Sequence, residues 1–258
     1  MAAMDYETDG GTVLLVLAHP DDELMLRPLL EREAASGTRL VCAYTTDAPA
    51  QGGGRREREV RAATKGLVAP DDLHFPGVDA SAVDGRSVER IGPLMERLRA
   101  VADGLPELTR VLSHAAEGGH PDHEVAHLLA AKLAVERGVS DRSHAVSHYR
   151  ASDSGWPPFA VQAEHPGGSR TVRITRGEAW RMLSGARHFP SQWRSLGPLL
   201  PMMAWSALRD LNLHLAPLRV PSPYRLPRPA RRAAMTESRF GVDIDAFERA
   251  ANAFLAAP

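Results

Sequence analysis

Seven residues from Thr12 to Ala18 (TVLLVLA) form a nearly unbroken apolar run rich in β-formers. Such a run suits a strand covered on both faces, as in a parallel sheet, rather than a half-exposed strand. Polar and apolar positions then mix from Asp21 to Ser36, with acidic residues in the first turn and Gly37 as a stop; this pattern predicts a helix. Arg39–Thr45 (RLVCAYT) reads as a second strand, Arg55–Lys65 as a charged helix and Asp72–Phe75 as a short third strand ended by Pro76. A helix over Val88–Ala102, a fourth strand over Thr109–Ser113, an amphipathic helix over Glu124–Arg137 and a fifth strand over Ala145–Tyr149 continue the alternation. That alternation predicts an α/β fold, a Rossmann-like, mostly parallel sheet with helices on both faces.

Beyond Ala151 the pattern weakens. Helices are expected over Thr175–Ala186, Leu199–Leu215 and Asp243–Leu255, whereas the five prolines from Pro217 to Pro229 forbid regular structure there. The expectation is a catalytic core over residues 1–151 and an irregular C-terminal extension, 152–258, that packs on it and supplies specificity loops.

Length and composition narrow the classes. With 258 residues, 43% of them hydrophobic, the chain can build one sizeable domain or one domain with an appendage. A net charge of -1 gives no global field for nucleic acid or anionic membrane, so no nucleic-acid partner is expected. Cys42, the single cysteine, excludes an internal disulfide and any multi-cysteine zinc site; its apolar neighbours predict a buried structural thiol. The acidic start MAAMDYETDG lacks a secretory pattern, and no apolar run reaches the ~20 residues of a transmembrane span. A cytoplasmic location is the default expectation, and a homo-oligomer is compatible with it.

Two motifs carry chemistry. Ala18-His19-Pro20-Asp21-Asp22-Glu23 falls where the first strand ends, and Gly118-Gly119-His120-Pro121-Asp122-His123 falls just after the fourth. In parallel α/β sheets the carboxyl ends of the strands form the crevice where ligands bind. Both motifs place His, Pro and Asp on one sheet edge, so His19, Asp22 and His123 can converge. Three N/O ligands with an open position are the pattern of a catalytic zinc rather than a structural one. The plainer reading makes Asp21 and Asp22 helix-dipole partners and the second motif a helix cap or solvated loop.

Together the motifs resemble the LmbE-like deacetylases, which include the N-acetylglucosaminyl-phosphatidylinositol (PIG-L) de-N-acetylases. The resemblance spans about residues 12–150, with a fainter echo near Ser191-Gln192. It implies that His19, Asp22 and His123 bind Zn2+ or another divalent metal, and that Asp21 is the general base. It further implies that His120, protonated, stabilises the oxyanion and that Asp122 orients it. The reaction implied is removal of an N-acyl group, acetyl foremost, from an amino sugar or its conjugate. By the same resemblance Arg56, in an Arg-x-x-Glu helix with Glu59, reaches the substrate. His114, at the fourth strand's end, is a further candidate for lining the pocket. The chain departs from the family where a glycine pair usually follows the first motif and this sequence reads Leu24-Met25-Leu26-Arg27-Pro28; Ala48 likewise follows Thr46-Asp47 in place of a glycine. These departures imply a differently shaped substrate pocket.

Other residues carry less. His127 lies one helical turn from His123, but no HExxH motif is present; His74, His144, His148, His165, His188 and His214 read as structural or solvated. Gly52-Gly53-Gly54 lacks the Lys-Ser/Thr of a phosphate loop and reads as a lid or turn. Trp156, Trp180, Trp193 and Trp205 are expected to pack rather than to stack on a sugar. A nucleotide-dependent enzyme on the same fold would want GxGxxG where His19-Pro20-Asp21-Asp22 stands. A non-catalytic metal-binding protein is the other alternative.

Overall fold

The computed structural model describes residues 8, 10–46, 54–105, 107–151, 159–161, 170–209, 211–220, 222–226 and 241–257. Asp47, Ala48, Gly52, Gly53, Trp156, His165 and the end of the proline-rich stretch, 227–229, lie outside them. A seven-stranded sheet forms the centre, in the order β3-β2-β1-β4-β5-β9-β8. The first five neighbours run parallel: β1 (Thr12–Leu17), β2 (Arg39–Tyr44), β3 (Leu73–His74), β4 (Leu108–His114) and β5 (His144–Val146). Two antiparallel strands complete it, β9 (Asn212–Pro217) on β5 and β8 (Arg170–Arg173) on β9. A separate two-stranded sheet joins β6 (Tyr149–Ala151) to β7 (Phe159–Val161).

Helices cover both faces, which explains why β1 is apolar at consecutive positions. Leu14 and Val16 face α4 (Ile91–Asp103), α5 (Pro121–Glu136) and α8 (Ile244–Ala256). Val13, Leu15 and Leu17 face α1 (Glu23–Ala35), α2 (Arg55–Ala63), α6 (Arg176–Gly185) and α7 (Trp193–Arg209). Every residue of β1 is buried. Cys42 is buried among the second set, as its neighbours predict. A short helix, α3 (Pro76–Asp79), lies against the end of β2; a Cβ on Gly77 would fall 2.3 Å from the Thr46 backbone.

Three expected elements differ, and α3, β7 and β8 stand where none was expected. The helix expected over Leu199–Leu215 runs instead from Trp193 to Arg209 and is followed by β9. The residues Leu213, His214 and Leu215 alternate inward and outward, Leu213 and Leu215 being buried, and two-residue alternation fits a sheet edge rather than a helix. The fifth strand stops at Val146, because His148 turns its ring back toward the carbonyls of Val146 and Asp22. The helix of the second motif begins at Pro121, three residues earlier than expected, because proline suits the first helical turn. Of the proline-rich stretch, Pro217 is the last residue of β9, against expectation, while 218–220 and 222–226 form neither helix nor strand.

Candidate metal centre and active site

β1 and β4 are adjacent and parallel, so the loops that leave them meet above one edge of the sheet. Thr46 secures the first loop by donating its hydroxyl to the Ala18 carbonyl at 2.7 Å. Its turn is closed by the His19 amide, which donates to Asp22 Oδ2 at 2.6 Å. Asp22, the residue before α1, thus uses its side chain on the loop and not to cap the helix. Asp21 takes a positive φ of 135°, a conformation that L-residues rarely adopt. Strain of this kind persists only where the surroundings over-determine it, and it gathers at active sites.

The second loop is held by Glu124 in the first turn of α5, whose Oε1 accepts from the amides of Glu117 and Gly118 at 2.8 and 2.7 Å. The other oxygen, Oε2, accepts from the Tyr224 hydroxyl at 2.6 Å. Glu117 in turn accepts from the Ser147 hydroxyl and from the His148 amide, tying this loop to the end of β5. His120 is the N-cap of α5, its Nδ1 accepting from the Asp122 amide at 3.2 Å. His123 follows inside the first turn of that helix and faces the first motif.

The convergence read from the motifs is present. Asp22 Oδ1 lies 3.4 Å from His123 Nε2, and Asp22 Oδ2 lies 3.6 Å from His19 Nδ1. One ligand atom from each of the three residues falls within 4.8 Å of the others. Tetrahedral coordination with bonds of ~2.0–2.1 Å separates ligand atoms by about 3.3 Å, so the set fits a divalent ion with little adjustment. Burial lifts the carboxyl of Asp22, but the positive charge and hydrogen bonds of His114 and His123 outweigh it and hold the group well below the usual carboxylate range. An ionised carboxylate is what a metal ligand requires.

Around this set stand residues with no counterpart in the motif reading. Asp84, on the loop after α3, sets Oδ1 3.2 Å from His19 Nε2 and 3.6 Å from His120 Nε2, with its side chain 43% exposed. Nothing in its local sequence, a polar turn between short elements, marks it out. His148 joins Asp22 and His114 in a second cluster of ligand types. Its signal was its position at the end of β5, on the same sheet edge as both motifs.

Asp21 lies beside the ligands without belonging to them. Burial raises its carboxyl to about 7, the neighbouring Asp22 adding to the rise, while the Arg56 guanidinium 3.4 Å away works against it. Arg56 also donates to the Pro20 carbonyl at 2.7 Å, so it braces the strained turn at Asp21. Glu23, buried beneath with the Tyr44 hydroxyl and the Asp21 amide as partners, is pushed by burial to about 8 and is neutral at pH 7.

His120 departs from its expected charge. Burial, reinforced by the charge of His19, lowers it to about 3. Because Nδ1 accepts from the Asp122 amide, the neutral ring carries its proton on Nε2, a tautomer inferred from the hydrogen-bond network. The Asp122 carboxylate is fully buried and accepts from Ser87 Oγ at 2.5 Å, the Ser87 amide at 3.1 Å and the Gly85 amide at 2.6 Å, and faces His19 Nε2 at 3.2 Å. It therefore locks the loop that bears Asp84 against His19; toward His120 its amide donates to Nδ1 and its Oδ2 lies 3.8 Å from the same nitrogen. His114 is fully buried, with Nε2 3.2 Å from Asp22 Oδ2 and 2.9 Å from the Ala18 amide, its ring stacked on His123 at 4.0 Å.

Known proteins share the fold and part of the sequence. No curated protein matches the chain in sequence. A deacetylase of the teicoplanin biosynthesis pathway, solved as a complex, superposes with a TM-score of 0.57 at 16% identity, covering 79% of this chain and 96% of its own. An A40926 pseudoaglycone deacetylase gives 0.57 at 16% identity, covering 83% of this chain and all of its own. The N,N'-diacetylchitobiose deacetylase of Pyrococcus horikoshii gives 0.50 at 14% identity, covering 81% and 85%. At such identities the likeness is one of fold. Sequence speaks separately: residues 14–134, which hold both motifs, match the GlcNAc-PI de-N-acetylase profile. Over that segment, somewhat less than half of its length, the chain is similar to the GlcNAc-PI de-N-acetylases.

Proposed function

We propose that the protein is a zinc-dependent N-deacetylase that hydrolyses an N-acyl, foremost N-acetyl, group on an amino sugar carried by a larger conjugate. The observation that supports this reading most directly is Asp21. Its carboxyl is tuned to about 7 and stands next to three converging N/O ligands that it does not join. A general base works best when its pKa lies near the operating pH.

His19, Asp22 and His123 would hold a divalent ion, which when bound would supply an acidified water and a Lewis acid. Asp21 is placed to take the proton of a water that attacks the amide carbon. Arg56 holds the Asp21 turn and presents its guanidinium to substrate hydroxyls at the same rim. The Nε2–H of neutral His120 donates to the developing oxyanion, a role that costs no proton transfer. When the C–N bond breaks, the proton held by Asp21 passes to the leaving amine, giving acetic acid and amine, which ionise to acetate and the ammonium form. Asp122 positions His19 and the Asp84 loop, and His114 packs beneath Asp22 and His123 to hold both in place. Asp84, exposed beside His19 and His120, is placed to accept from a sugar hydroxyl.

The substrate class draws on the fold neighbours, which are named for deacetylation in teicoplanin biosynthesis, of a pseudoaglycone and of diacetylchitobiose. A mass-spectrometric screen of N-acetyl amino sugars, chitobiose and glycopeptide conjugates with the zinc-loaded protein tests the assignment. Loss of one acetyl mass from at least one class is the expected result. Intact substrates throughout, with stoichiometric metal bound, would leave a metal-binding protein without this activity.

A further inference from the structure

The chain's charge is unevenly placed. From Arg170 to Arg209 the sequence holds seven arginines and one carboxylate, Glu178, a charge of +6 in a chain whose total is -1. Glu178 is itself buried and bound to Arg32, while Arg181 is paired with Glu31 at 2.8 Å and adds little to the outward charge. The same segment carries the three exposed tryptophans among the described residues: Trp180 at 71%, Trp193 at 52% and Trp205 at 67%.

Their arrangement on α7 is regular. The helix WRSLGPLLPMMAWSALR has no acid and no lysine, and its charges, Arg194 and Arg209, stand near its two ends. Arg194, Pro198, Pro201 and Trp205 are exposed and follow one another at helical spacing, so they share the outer face. Met203 is buried, and Leu196, Leu199, Leu200 and Met202, partly buried, pack toward the core, which anchors the opposite face. On α6, which packs on α7, Arg176 and Trp180 are exposed and lie one turn apart on the same face. An outward face built from tryptophan and proline and flanked by arginines is costly in water and serves no fold that the core already secures. Tryptophan and arginine together are the side chains that suit the headgroup layer of a bilayer. With 17 residues and terminal arginines α7 lies along such a surface; no helix among the described residues is long and apolar enough to cross one.

From this charge complementarity and helix geometry we propose that the outer face of α7, with Trp180 of α6, docks the protein on an anionic lipid surface. Contacts continue from that face to the site. Ser191, two residues before Trp193, donates from its amide to Glu59 Oε1 at 3.0 Å and from its hydroxyl to the same carboxylate. Glu59 lies on α2, the helix whose Arg56 reaches Asp21 and the Pro20 carbonyl. Docking at α7 therefore sets the cleft at a fixed position relative to the lipid surface. The proposal does not depend on the deacetylase reading, because it concerns a surface outside the site.

Flotation of the full-length protein with vesicles tests it, comparing phosphatidylcholine alone with phosphatidylcholine mixed with phosphatidylglycerol. The protein is expected to float with the anionic vesicles, to release at high salt, and to show tryptophan quenching by brominated lipid. Arg194→Glu is expected to weaken binding at least about fivefold, since one basic residue near such a surface is worth ~1 kcal/mol. Trp180→Ser with Trp205→Ser is expected to weaken it roughly tenfold or more, with circular dichroism confirming that the variants fold. Absence of flotation with anionic vesicles overturns the proposal. So does binding unchanged in both variants, and so does a tryptophan-dependent self-association seen by light scattering without lipid binding, which would assign the face to a second copy of this chain.

Discussion

Asp22 Oδ1 lies 3.4 Å from His123 Nε2, while the other oxygen of the same carboxylate lies 3.2 Å from His114 Nε2. One aspartate is thus shared by histidines from β4 and α5, with His19 Nδ1 a third neighbour at 3.6 Å from Oδ2. Removing either side leaves an uncompensated buried group, which costs several kcal/mol when a metal or partner is lacking. The expected outcome is about one divalent ion per chain in the wild type and little or none in His19→Ala, Asp22→Ala or His123→Ala. Elemental analysis after gel filtration measures it. Unchanged metal content in all three would remove the centre.

Asp21→Asn separates base from ligand. Asparagine keeps the size of the side chain, and Asp21 is not among the three converging ligands. The variant is expected to hold its metal and lose about 10²- to 10⁴-fold in kcat, the usual contribution of general acid–base catalysis. Turnover at the wild-type rate would hand the proton to another group.

Much of this was legible because motif and strand end coincide. TVLLVLA announced a doubly covered strand, and β1 is buried throughout; the loops after β1 and β4 then met as adjacent parallel strands must. Asp84 was not legible: it reaches His19 only because Asp122 pins the Gly85–Ser87 backbone, a contact between distant parts of the chain. His148 was set aside because a lone histidine after a strand has no local signature. β9 was hidden because Leu208, Leu211 and Leu215 recur at three- and four-residue spacing, which carries the preceding helical pattern through the strand. The missing glycine pair after the first motif finds a partial answer across the interface. Leu24 of α1 packs against Gly185 of α6, where a Cβ would lie 2.6 Å from Leu24 Cδ2.

Two glycines should therefore respond differently to alanine. At Gly77 the added Cβ meets the Thr46 backbone carbon, nitrogen and oxygen at 2.3–2.5 Å, and backbone at the end of β2 cannot turn aside. Gly77→Ala is expected to cost more than ~3 kcal/mol and to disturb Thr46, whose hydroxyl secures Ala18. At Gly185 the obstacle is the far end of a leucine side chain, so Gly185→Ala is expected to cost roughly 1–2 kcal/mol by repacking. Urea unfolding of both variants checks the order, and a cheaper Gly77→Ala would contradict it.

Glu178 makes stability depend on pH in a stated direction. It closes a capping box at the start of α6, accepting from the Thr175 amide at 2.7 Å and hydroxyl at 2.9 Å while its own amide donates to Thr175 Oγ1. Arg32 of α1 adds two hydrogen bonds, at 2.8 and 3.0 Å, so the same carboxylate joins the two helices. Burial alone would raise this carboxyl, but the hydrogen bonds from Arg32 and Thr175 prevail and lower it from 4.5 to about 2. A depressed folded-state value means that the unfolded chain takes up the proton first as pH falls. The stabilisation is therefore complete above about 4.5, declines between 4.5 and 2, and is gone below. Glu178→Gln keeps an acceptor but removes the charge, and is expected to lose roughly 1–3 kcal/mol at pH 7, the range for hydrogen bonds to a charged group. Denaturant melts of wild type and variant from pH 7 to pH 3 should show the gap between them narrowing as pH drops below about 4.5. A gap that stays constant over that interval would mean that Arg32 and Thr175 hold the side chain by shape and not by its charge.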